Sequence, residues 1–341
     1  MGSLFSRLRT QRPPKEEEKK TYSWDRRERV DPKDFTFDGL EDTTAGKLPG
    51  QIGGQQFIIK DCKKCDIYLF DHIASLTIDD CVNCRIVIGP VKGSVFFRDC
   101  KDITCLVACQ QFRTRDCKKM RVFLHCSTKP IIESSTGMQF GCYQANYPKL
   151  EDHFSAAGIS LFENNWSNIH DYSPIPGEEN WKLIAPDAAG VDEYFSAPSE
   201  EPFSSIPVSF STDNSLVPLT MGLSRRPGES NSCLVILRAT ADQSKLKAYV
   251  KSVQEDTLTL VQIKQTEIPK EDAQRMFPHA RGTTPVGPVV VVDVAGNDNA
   301  GTQCIDIATK IGVDLLYVSD SAEQGQRDID TFYNFIDMAM S

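Results

Sequence analysis

The sequence lacks the features of a membrane-spanning or nucleic-acid-binding protein. No apolar run reaches the roughly eighteen residues that a bilayer-crossing helix needs, so no transmembrane span is expected. The formal net charge is −9, whereas nucleic-acid phosphates bind to basic surfaces, which excludes nucleic acid as a partner. The first ten residues contain no apolar core of signal-peptide length, so secretion is not expected either.

Residues that would form a catalytic centre are also scarce. The 5 histidines are scattered without metal-ligand spacing, and none fits a Ser-His-Asp or Cys-His arrangement. Asp71-His72 and His170-Asp171 are adjacent pairs, which are more typical of caps and surface groups than of catalytic dyads. The Gly- and Asn-rich stretch 294–301 lacks the lysine and the spacing of a P-loop. We therefore expect no metal site, no cofactor of its own and no independent enzymatic activity.

Cysteine, by contrast, is plentiful, with 12 in the chain. Cys62 and Cys65 form one Cys-x-x-Cys pair, Cys81 and Cys84 form another, and their separation is that of a four-cysteine zinc site. Without a secretory route we expect reduced thiols rather than disulfides. The pairs indicate either a metal site or one part of a longer repeat.

The repeat interpretation is the stronger one. An Asp-Cys dipeptide recurs at steps of nineteen, nineteen and seventeen residues, at Asp61-Cys62, Asp80-Cys81, Asp99-Cys100 and Asp116-Cys117. Three residues after each of these cysteines stand Cys65, Cys84, Ile103 and Met120. Zinc needs a thiolate or an imidazole at every ligand position, whereas a buried position accepts any apolar group of moderate size. The pattern therefore favours a ladder of core residues over a zinc site.

Apolar residues alternate within each repeat, as they do in strands. The resulting stripes are Phe57, Leu76, Val95 and Phe112, then Ile59, Ile78, Phe97 and Thr114, and beyond the Asp-Cys step Ile67, Ile86, Cys105 and Val122. A unit this short cannot bury its face alone, but units stacked about 4.8 Å apart share one core. We predict a right-handed parallel β-helix domain over 34–172, with coils from about Asp34 to about Phe140. The Asp-Cys step falls at a corner, where the facing of its two residues stays open.

The fourth coil, "ACQQFRTRDC", departs from the earlier ones. Phe112 and Thr114 keep the inward phase, so Arg113 and Arg115 must point outward. The earlier coils carry Ile58, Thr77 and Phe96 at the Arg113 position and Lys60, Asp79 and Arg98 at the Arg115 position. Arg113 is either a surface arginine paired with a carboxylate or a guanidinium preorganised for an anionic partner.

Three segments of this region carry a family resemblance. "GPVKGSVFFRDCKD", "ACQQFRTRDCKK" and "PIIESSTGMQFGC" resemble the tubulin cofactor C domain family. With "YSWDRRERVDPKDF" before these segments and "NNWSNIHDY" after them, the resemblance extends from about Thr21 to the C-terminus, and it is dense in the solenoid and looser in the linker and the second domain. Family members are GTPase-activating proteins for Arf-like small GTPases, with ADP-ribosylation-factor-like protein three as the implied partner. The resemblance thus implies a GTPase activator that regulates the trafficking of lipidated proteins to the cilium.

The resemblance also implies roles for individual residues. Arg113 is the expected arginine finger, with Gln110 and Gln111 beside it and Glu133 at the partner interface. Glu133 otherwise holds Arg113 or Arg115 in place, and Arg115 and Phe112 are the other expected supports of this surface. GTP and Mg²⁺ belong to the partner GTPase in its GTP state. Two alternatives stay open: an effector or scaffold that binds the GTP state without accelerating hydrolysis, and a tubulin-folding cofactor.

The N-terminus "MGSLFS" fits the pattern for N-myristoylation at Gly2. One myristoyl chain binds a bilayer only marginally, so a second signal is needed for stable anchoring. Family members usually carry a cysteine at position 3, which accepts palmitate, but this chain has Ser3; basic residues at Arg7, Arg9 and Arg12 offer a substitute. We expect a disordered, acylated tail over 1–33 and a location at the cytoplasmic face of the plasma membrane, the ciliary base or cilium, and the cytoplasm. The alternative is a charged tail without lipid.

The rest of the chain reads as a linker and a second domain. Residues 173–228 are rich in Pro, Ser and Glu, and we expect them to pack partly through Trp181, Tyr194 and Phe203. From 229 to 341 strands and helices alternate, which predicts a ferredoxin-like α+β domain.

This second domain resembles nucleoside diphosphate kinase, most visibly at "LLYVSDSAEQGQRDI". The catalytic histidine and the following glycine of that family are replaced here by Tyr317 and Val318, and His279 does not lie at the motif. A tyrosine hydroxyl is a poor substitute for the phosphate-accepting imidazole. We therefore reject kinase activity and expect a module for stability or partner binding. The acylated tail and this domain argue against tubulin as the partner.

Overall fold

The computed structural model describes residues 31–184, 190–223, 231–239, 242–256, 258–280 and 284–340. The chain divides into two units, Met1–Asp34, of which only 31–34 are described, and Phe35–Ser341. Gly2, Ser3 and the basic residues Arg7, Arg9 and Arg12 therefore lie outside the described residues. All of the structure below belongs to the second unit.

The first domain is a parallel β-helix, as the repeat predicts. Its described residues form a thirteen-stranded sheet in which every pair of neighbouring strands is parallel. The strands are β1 (Thr36–Asp38), β2 (Thr44–Lys47), β3 (Phe57–Lys60), β4 (Asp66–Leu69), β5 (Leu76–Asp79), β6 (Arg85–Ile88), β7 (Val91–Arg98), β8 (Thr104–Arg115), β9 (Arg121–Cys126), β10 (Ile131–Glu133), β11 (Met138–Cys142), β12 (His170–Asp171) and β13 (Trp181–Leu183).

The strands lie on two faces of the solenoid. Face A consists of β1, β3, β5, β7, the second half of β8, β10 and β12, and face B consists of β2, β4, β6, the first half of β8, β9, β11 and β13. The long strand β8 pairs with β6 and β9 on face B and with β7 and β10 on face A. The coils extend beyond Phe140, because β12 and β13 add pairs that carry no Asp-Cys marker.

The corners between the faces explain the Asp-Cys dipeptide. The aspartates have left-handed backbone conformations, with φ of 54° at Asp61 and Asp80, 50° at Asp99 and 55° at Asp116. Asp tolerates this region better than most residues because its short polar side chain can bond locally. The cysteine that follows each aspartate points inward and is buried, which settles the facing that the sequence left open.

The solenoid core follows the predicted stripes. Phe57, Leu76, Val95 and Phe112 stand in register across neighbouring strands of face A and are fully buried, as are Ile59, Ile78 and Phe97 in the next row. All 12 cysteines are free and buried. Among the described residues, no group of three or more His, Cys, Asp or Glu side chains is arranged to hold a metal ion.

Face B is covered by the chain that follows the coils. Helix α1 (Leu150–Ala157) and the segment 190–219 pack their apolar side chains on it, including Phe195, Phe203 and Phe210. The ring of Phe203 lies 5.9 Å from that of Tyr68 on β4. Short 3-10 turns at Val191–Glu193, Phe203–Ser205 and Thr212–Asn214 are the regular structure of this covering segment. The segment expected as a linker is therefore part of the first domain's packing.

The second domain has the predicted alternation and a ferredoxin-like sheet. Its elements are β14 (Asn231–Arg238), α2 (Gln243–Glu255), β15 (Thr259–Ile268), α3 (Lys270–Met276), β16 (Gly287–Gly296), α4 (Ala300–Ile311), β17 (Leu315–Val318) and α5 (Ala322–Met340). The sheet order is β15-β16-β14-β17, and all its pairs are antiparallel. Residues of α2 and α4 cover one side of the sheet, and residues of α3 and α5 cover the other.

The two domains share a core contact and polar links. Phe162, from the first domain, is 1% exposed and packs within the core of the second. Lys264 Nζ on β15 lies 3.2 Å from Glu163 Oε1, and the Ser160 hydroxyl donates to Gln265 Oε1 at 2.5 Å. These contacts join the second domain to residues 160–163 of the first domain, which follow helix α1. No helix among the described residues has the length and apolarity of a membrane span.

Candidate functional site

Arg113 lies on β8 in face A and points away from the core, as its phase predicts. Its register partners are Phe96 on β7 and Ile131 on β10. The side chain is exposed, and among the described residues its guanidinium makes no hydrogen bond or ion pair. Of the two interpretations left by the sequence, the carboxylate-paired arginine therefore has no support in the described part of the chain.

The row that contains Arg113 is otherwise uncharged or only weakly basic. Across face A it consists of Thr36, Ile58, Thr77, Phe96, Arg113, Ile131 and His170. Ile58, Thr77, Phe96 and Ile131 are each partly exposed. A guanidinium in such a row is flanked by apolar surface, which a docking partner can remove from water together with the charge.

The neighbouring outward row is a ladder of charges. Arg98 donates from Nε and Nη2 to the two carboxylate oxygens of Asp79 at 2.7 and 2.5 Å, and Lys60 Nζ lies 2.9 Å from Asp38. Arg115 Nε lies 3.6 Å from Asp116 Oδ2. Lys60 and Arg98 thus pair within the row and Arg115 pairs with the corner residue Asp116, so Arg115 has a carboxylate partner that Arg113 lacks among the described residues.

Glu133 follows Arg115 in register on β10 and is exposed. Within the described part of the chain, its carboxylate is not within ion-pair distance of either arginine. The interpretation in which Glu133 holds an arginine in place therefore gains no contact here. Its exposed carboxylate remains at the edge of the surface around Arg113.

The residues before Arg113 are held at its side. Ser94 Oγ donates to Gln111 Oε1 at 3.0 Å, which fixes the amide of Gln111. The carbonyl of Gln110 accepts bonds from the backbone N–H and the hydroxyl of Thr128 at 3.1 and 3.0 Å. Phe112 is fully buried, so it supports the strand from the core and does not reach a partner.

A shallow depression of about 540 Å³ adjoins Arg113. It is lined by Gln111, Phe112, Arg113, Thr128, Lys129, Ile131, His170, Tyr172 and Asp337. Tyr172 is 65% exposed, and its ring lies 4.4 Å from that of His170 in an edge-to-face arrangement. Sequence reasoning missed Lys129 and Tyr172, which lie outside the Asp-Cys repeat, and Asp337, which comes from α5 of the other domain.

The position of the kinase histidine is occupied by an engaged hydroxyl. Tyr317 Oη donates to Asp328 Oδ2 at 2.6 Å, and Ser319 Oγ donates to the same oxygen at 2.7 Å. Burial, together with the bond to Asp328, raises the pKa of Tyr317. A hydroxyl that is protonated and donates to a buried carboxylate is poorly suited to nucleophilic attack.

Of the two adjacent histidine-aspartate pairs in the sequence, Asp71-His72 lies at a loop that its aspartate caps. Asp71 is buried and accepts from the backbone N–H groups of Ile52, Gly53 and His72 at 2.8, 2.7 and 2.9 Å. Burial opposes the charged form of Asp71, but these three bonds outweigh it and lower its pKa. Asp71 therefore organises the loop that contains Ile52 and Gly53.

Comparison with known proteins matches both the solenoid and the whole chain. The family described as "Tubulin binding cofactor C" matches residues 54–172. Protein XRP2 of Danio rerio is 50% identical over 334 residues, which cover 95% of this chain and 88% of that protein. Protein XRP2 of Homo sapiens is 47% identical over 354 residues, which cover 100% of this chain and 99% of that protein. The chain belongs to the XRP2 family. The similarity to this family therefore includes the second domain as well as the solenoid.

More distant relatives share less than half of the chain. Tubulin-specific chaperone C of Homo sapiens is 28% identical over 151 residues, which cover 43% of this chain and 44% of that protein. The solved structure of "Tubulin Binding Cofactor C from Leishmania major" is 24% identical with a TM-score of 0.30, and it covers 34% of this chain and 81% of that one. The XRP2 relatives therefore match over most or all of the chain, whereas the tubulin-specific chaperone matches over less than half of it.

Proposed function

We propose that this protein is a GTPase-activating protein that supplies Arg113 in trans to an Arf-like small GTPase in its GTP state. The observation that carries the proposal is an outward, exposed arginine without an ion pair in the described structure, set between the apolar residues Phe96 and Ile131 on a β-helix. The resemblance to the cofactor C family implies the same role for Arg113. The partner carries GTP and Mg²⁺, and this chain contributes no cofactor.

The chemistry requires a cation at the transferred phosphate. Negative charge spreads over the oxygens of the γ-phosphoryl group during hydrolysis, and an arginine delivered in trans accelerates the reaction by about 10³–10⁵. Arg suits this role because its planar group stays charged and bonds oxygens in pairs. Because β8 is bonded to strands on both sides, the backbone of Arg113 is fixed before the partner arrives, so that only its side chain must be ordered on docking.

The neighbours of Arg113 support this role physically. Docking over Phe96 and Ile131 excludes water, and the charge on Arg113 then acts in a medium of lower dielectric constant. Gln111, held by Ser94, and the exposed Gln110 are proposed to contact the partner or its attacking water. Glu133 is proposed to meet the partner at the edge of this surface.

The proposed cellular role includes membrane attachment. Myristoylation of Gly2 would bring the protein to the cytoplasmic face of the plasma membrane and to the cilium, where the GTPase cycle controls the release of lipidated cargo. Because a single acyl chain binds weakly, we propose that attachment is reversible in a chain with Ser3. The second domain is proposed to have no kinase activity, consistent with the engaged hydroxyl of Tyr317.

The test is single-turnover GTP hydrolysis by an Arf-like GTPase, with the intact protein, Arg113→Ala and Arg85→Ala. Arg85 is an exposed arginine of face B that pairs with Asp66, so it serves as the matched control. We expect Arg113→Ala to bind the GTP state but to lose acceleration by about 10³ or more, and Arg85→Ala to act like the intact protein.

Three other outcomes would decide against the proposal. Equal binding without acceleration by the intact protein would make the chain an effector. Acceleration that survives in Arg113→Ala would remove Arg113 from the chemistry. Tubulin-dependent GTP hydrolysis, without any effect on the small GTPase, would make it a tubulin cofactor.

A further inference from the structure

The depression beside Arg113 is built by both domains. Asp337 of α5 lines it together with Gln111, Arg113 and Lys129 of the solenoid domain. Lys129 Nζ lies 2.8 Å from Asp337 Oδ1, with side-chain exposures of 32% for Lys129 and 51% for Asp337. The end of α5 is therefore at the surface, next to the arginine.

The contact with α5 is connected to the strand that carries Arg113. Lys129 lies in the short loop between β9 and β10. The preceding residue, Thr128, donates two hydrogen bonds to the carbonyl of Gln110, three residues before Arg113 on β8. A continuous series of polar contacts thus joins α5 to the backbone of β8.

A partner that docks on Arg113 through an interface of ordinary size would also reach α5. Two strands, β10 and β12, follow β8 on face A, so Arg113 stands roughly 10 Å from the end of this face at the usual strand spacing. A standard interface buries about 800 Å² on each partner, which corresponds to a disc of roughly 16 Å radius. A GTPase centred on Arg113 must therefore extend past β12, and it also covers the adjoining depression that Asp337 lines.

We infer that the end of α5 is one wall of the surface that receives the partner GTPase, and that Asp337 positions this wall through Lys129. The inference rests on the proposed function for the identity of the partner. The second domain then sets how tightly the GTPase docks, whereas Arg113 sets how fast GTP is hydrolysed. Asp337 is a positioning residue in this arrangement, since it acts through Lys129. Because Asp337 pairs with Lys129, that lysine is neutralised. Arg113 also lines the depression but has no ion pair among the described residues.

The experiment separates docking from chemistry. Single-turnover hydrolysis by the GTP-loaded GTPase is measured against the concentration of the full chain, for the intact protein, Asp337→Lys, Asp337→Glu and Asp314→Lys. Asp314 pairs with Arg238 at 2.6 Å and is 54% exposed, so its reversal is a matched control in the same domain. Asp337→Lys should raise the half-saturating concentration at least tenfold with a saturating rate within twofold of the intact protein. Asp337→Glu and Asp314→Lys should match the intact protein.

Other outcomes overturn the inference. An unchanged half-saturating concentration for Asp337→Lys would show that α5 lies outside the docking surface. An equal shift in Asp314→Lys would assign the effect to net charge, and a fall in the saturating rate alone would assign it to the chemistry.

Failure of the proposed function would look different from failure of this inference. If no variant accelerates hydrolysis, the dissociation constant for the GTP-loaded GTPase replaces the rate, and the same pattern among the variants still identifies α5 as a docking wall. If Arg113→Ala abolishes acceleration while Asp337→Lys behaves like Asp314→Lys, the proposed function stands and this inference is wrong.

Discussion

Lys264 Nζ of the second domain lies 3.2 Å from Glu163 Oε1 of the first, and the lysine side chain is only 5% exposed. Asn165 Oδ1 accepts a further bond from the same ammonium at 3.4 Å. A charge so far from water depends on such partners, because desolvation without them is costly. The junction between the domains therefore contains this buried ammonium with its polar partners as well as the apolar contact of Phe162.

Removing this lysine should destabilise the junction. We expect Lys264→Ala to lower the free energy of unfolding by about 1–3 kcal/mol, less than for a fully buried pair because Glu163 can be hydrated after the change. Urea denaturation monitored by tryptophan fluorescence measures it. Lys251→Ala removes an exposed pair with Glu255 and should stay within about 0.5 kcal/mol. Equal effects of the two changes would contradict the role assigned to Lys264.

Replacing an inward cysteine by an apolar residue should change the free energy of unfolding little, and a chelator should not change the stability of the intact protein. Cys84→Val nearly conserves volume in the core and should cost less than about 1.5 kcal/mol, whereas Cys84→Ser buries a hydroxyl and should cost about 1–3 kcal/mol. EDTA should leave the urea midpoint of the intact protein unchanged. A midpoint that falls with EDTA, and two variants that are equally unstable, would instead indicate a structural metal.

Acid should destabilise the first domain through His125. Complete burial lowers the pKa of His125 to about 4, although a hydrogen bond from its Nε2 to the Ser160 carbonyl partly opposes this. The unfolded chain, with an ordinary pKa near 6.5, binds the proton first, so stability falls as the pH drops from about 6.5 to about 4. The loss should reach roughly 3 kcal/mol by the lower limit.

His125→Gln tests this linkage. Urea denaturation between pH 7 and pH 4 should show a shallower loss of stability in His125→Gln than in the intact protein. His279→Gln changes an exposed side chain and should keep the original slope. The measurement compares slopes, so a general loss of stability in His125→Gln does not obscure it, and an unaltered slope would refute the prediction.

Lys119 lies at a corner of the solenoid with a left-handed backbone, so a residue better suited to that conformation should stabilise the protein. Its φ is 55°, in the left-handed region that Asn occupies more readily than Lys. Lys119→Asn should raise the free energy of unfolding by about 0.5 kcal/mol, and the β-branched Lys119→Val should lower it by about 1–2 kcal/mol. Lys118→Val, at an exposed neighbour with an ordinary backbone, is the control and should have little effect. Equal responses at the two positions would argue against backbone strain.

Period and phase predicted the solenoid because each coil repeats the same physical requirement. An inward row must be apolar along every coil, so the register that joins Phe57 to Phe112 also fixes which side Arg113 faces. The second domain was predictable for a similar reason, since its strands and helices are long and alternate. In both cases the local pattern is repeated often enough that exceptions at single positions do not change the prediction.

The remaining features depend on contacts that no local pattern encodes. The facing of Cys62 required the left-handed backbone at Asp61, which breaks the alternation on which the phase argument depends. The segment that buries Phe195 and Phe203 on face B is irregular, so its composition resembled a linker. The ion pair between Lys129 and Asp337 joins residues that are far apart in sequence, and only the packing of the two domains brings them together.

The buried cysteines can report which regions of the protein unfold first. A cysteine reacts as its thiolate and only when reagents reach it, and burial raises the pKa of both Cys84 and Cys142 to about 11. Because the cysteines of the coils and of the second domain are all buried, each native thiol should stay unreactive toward alkylation until the region around it opens. The order in which the cysteines become labelled should then give the order in which the individual coils and the second domain unfold.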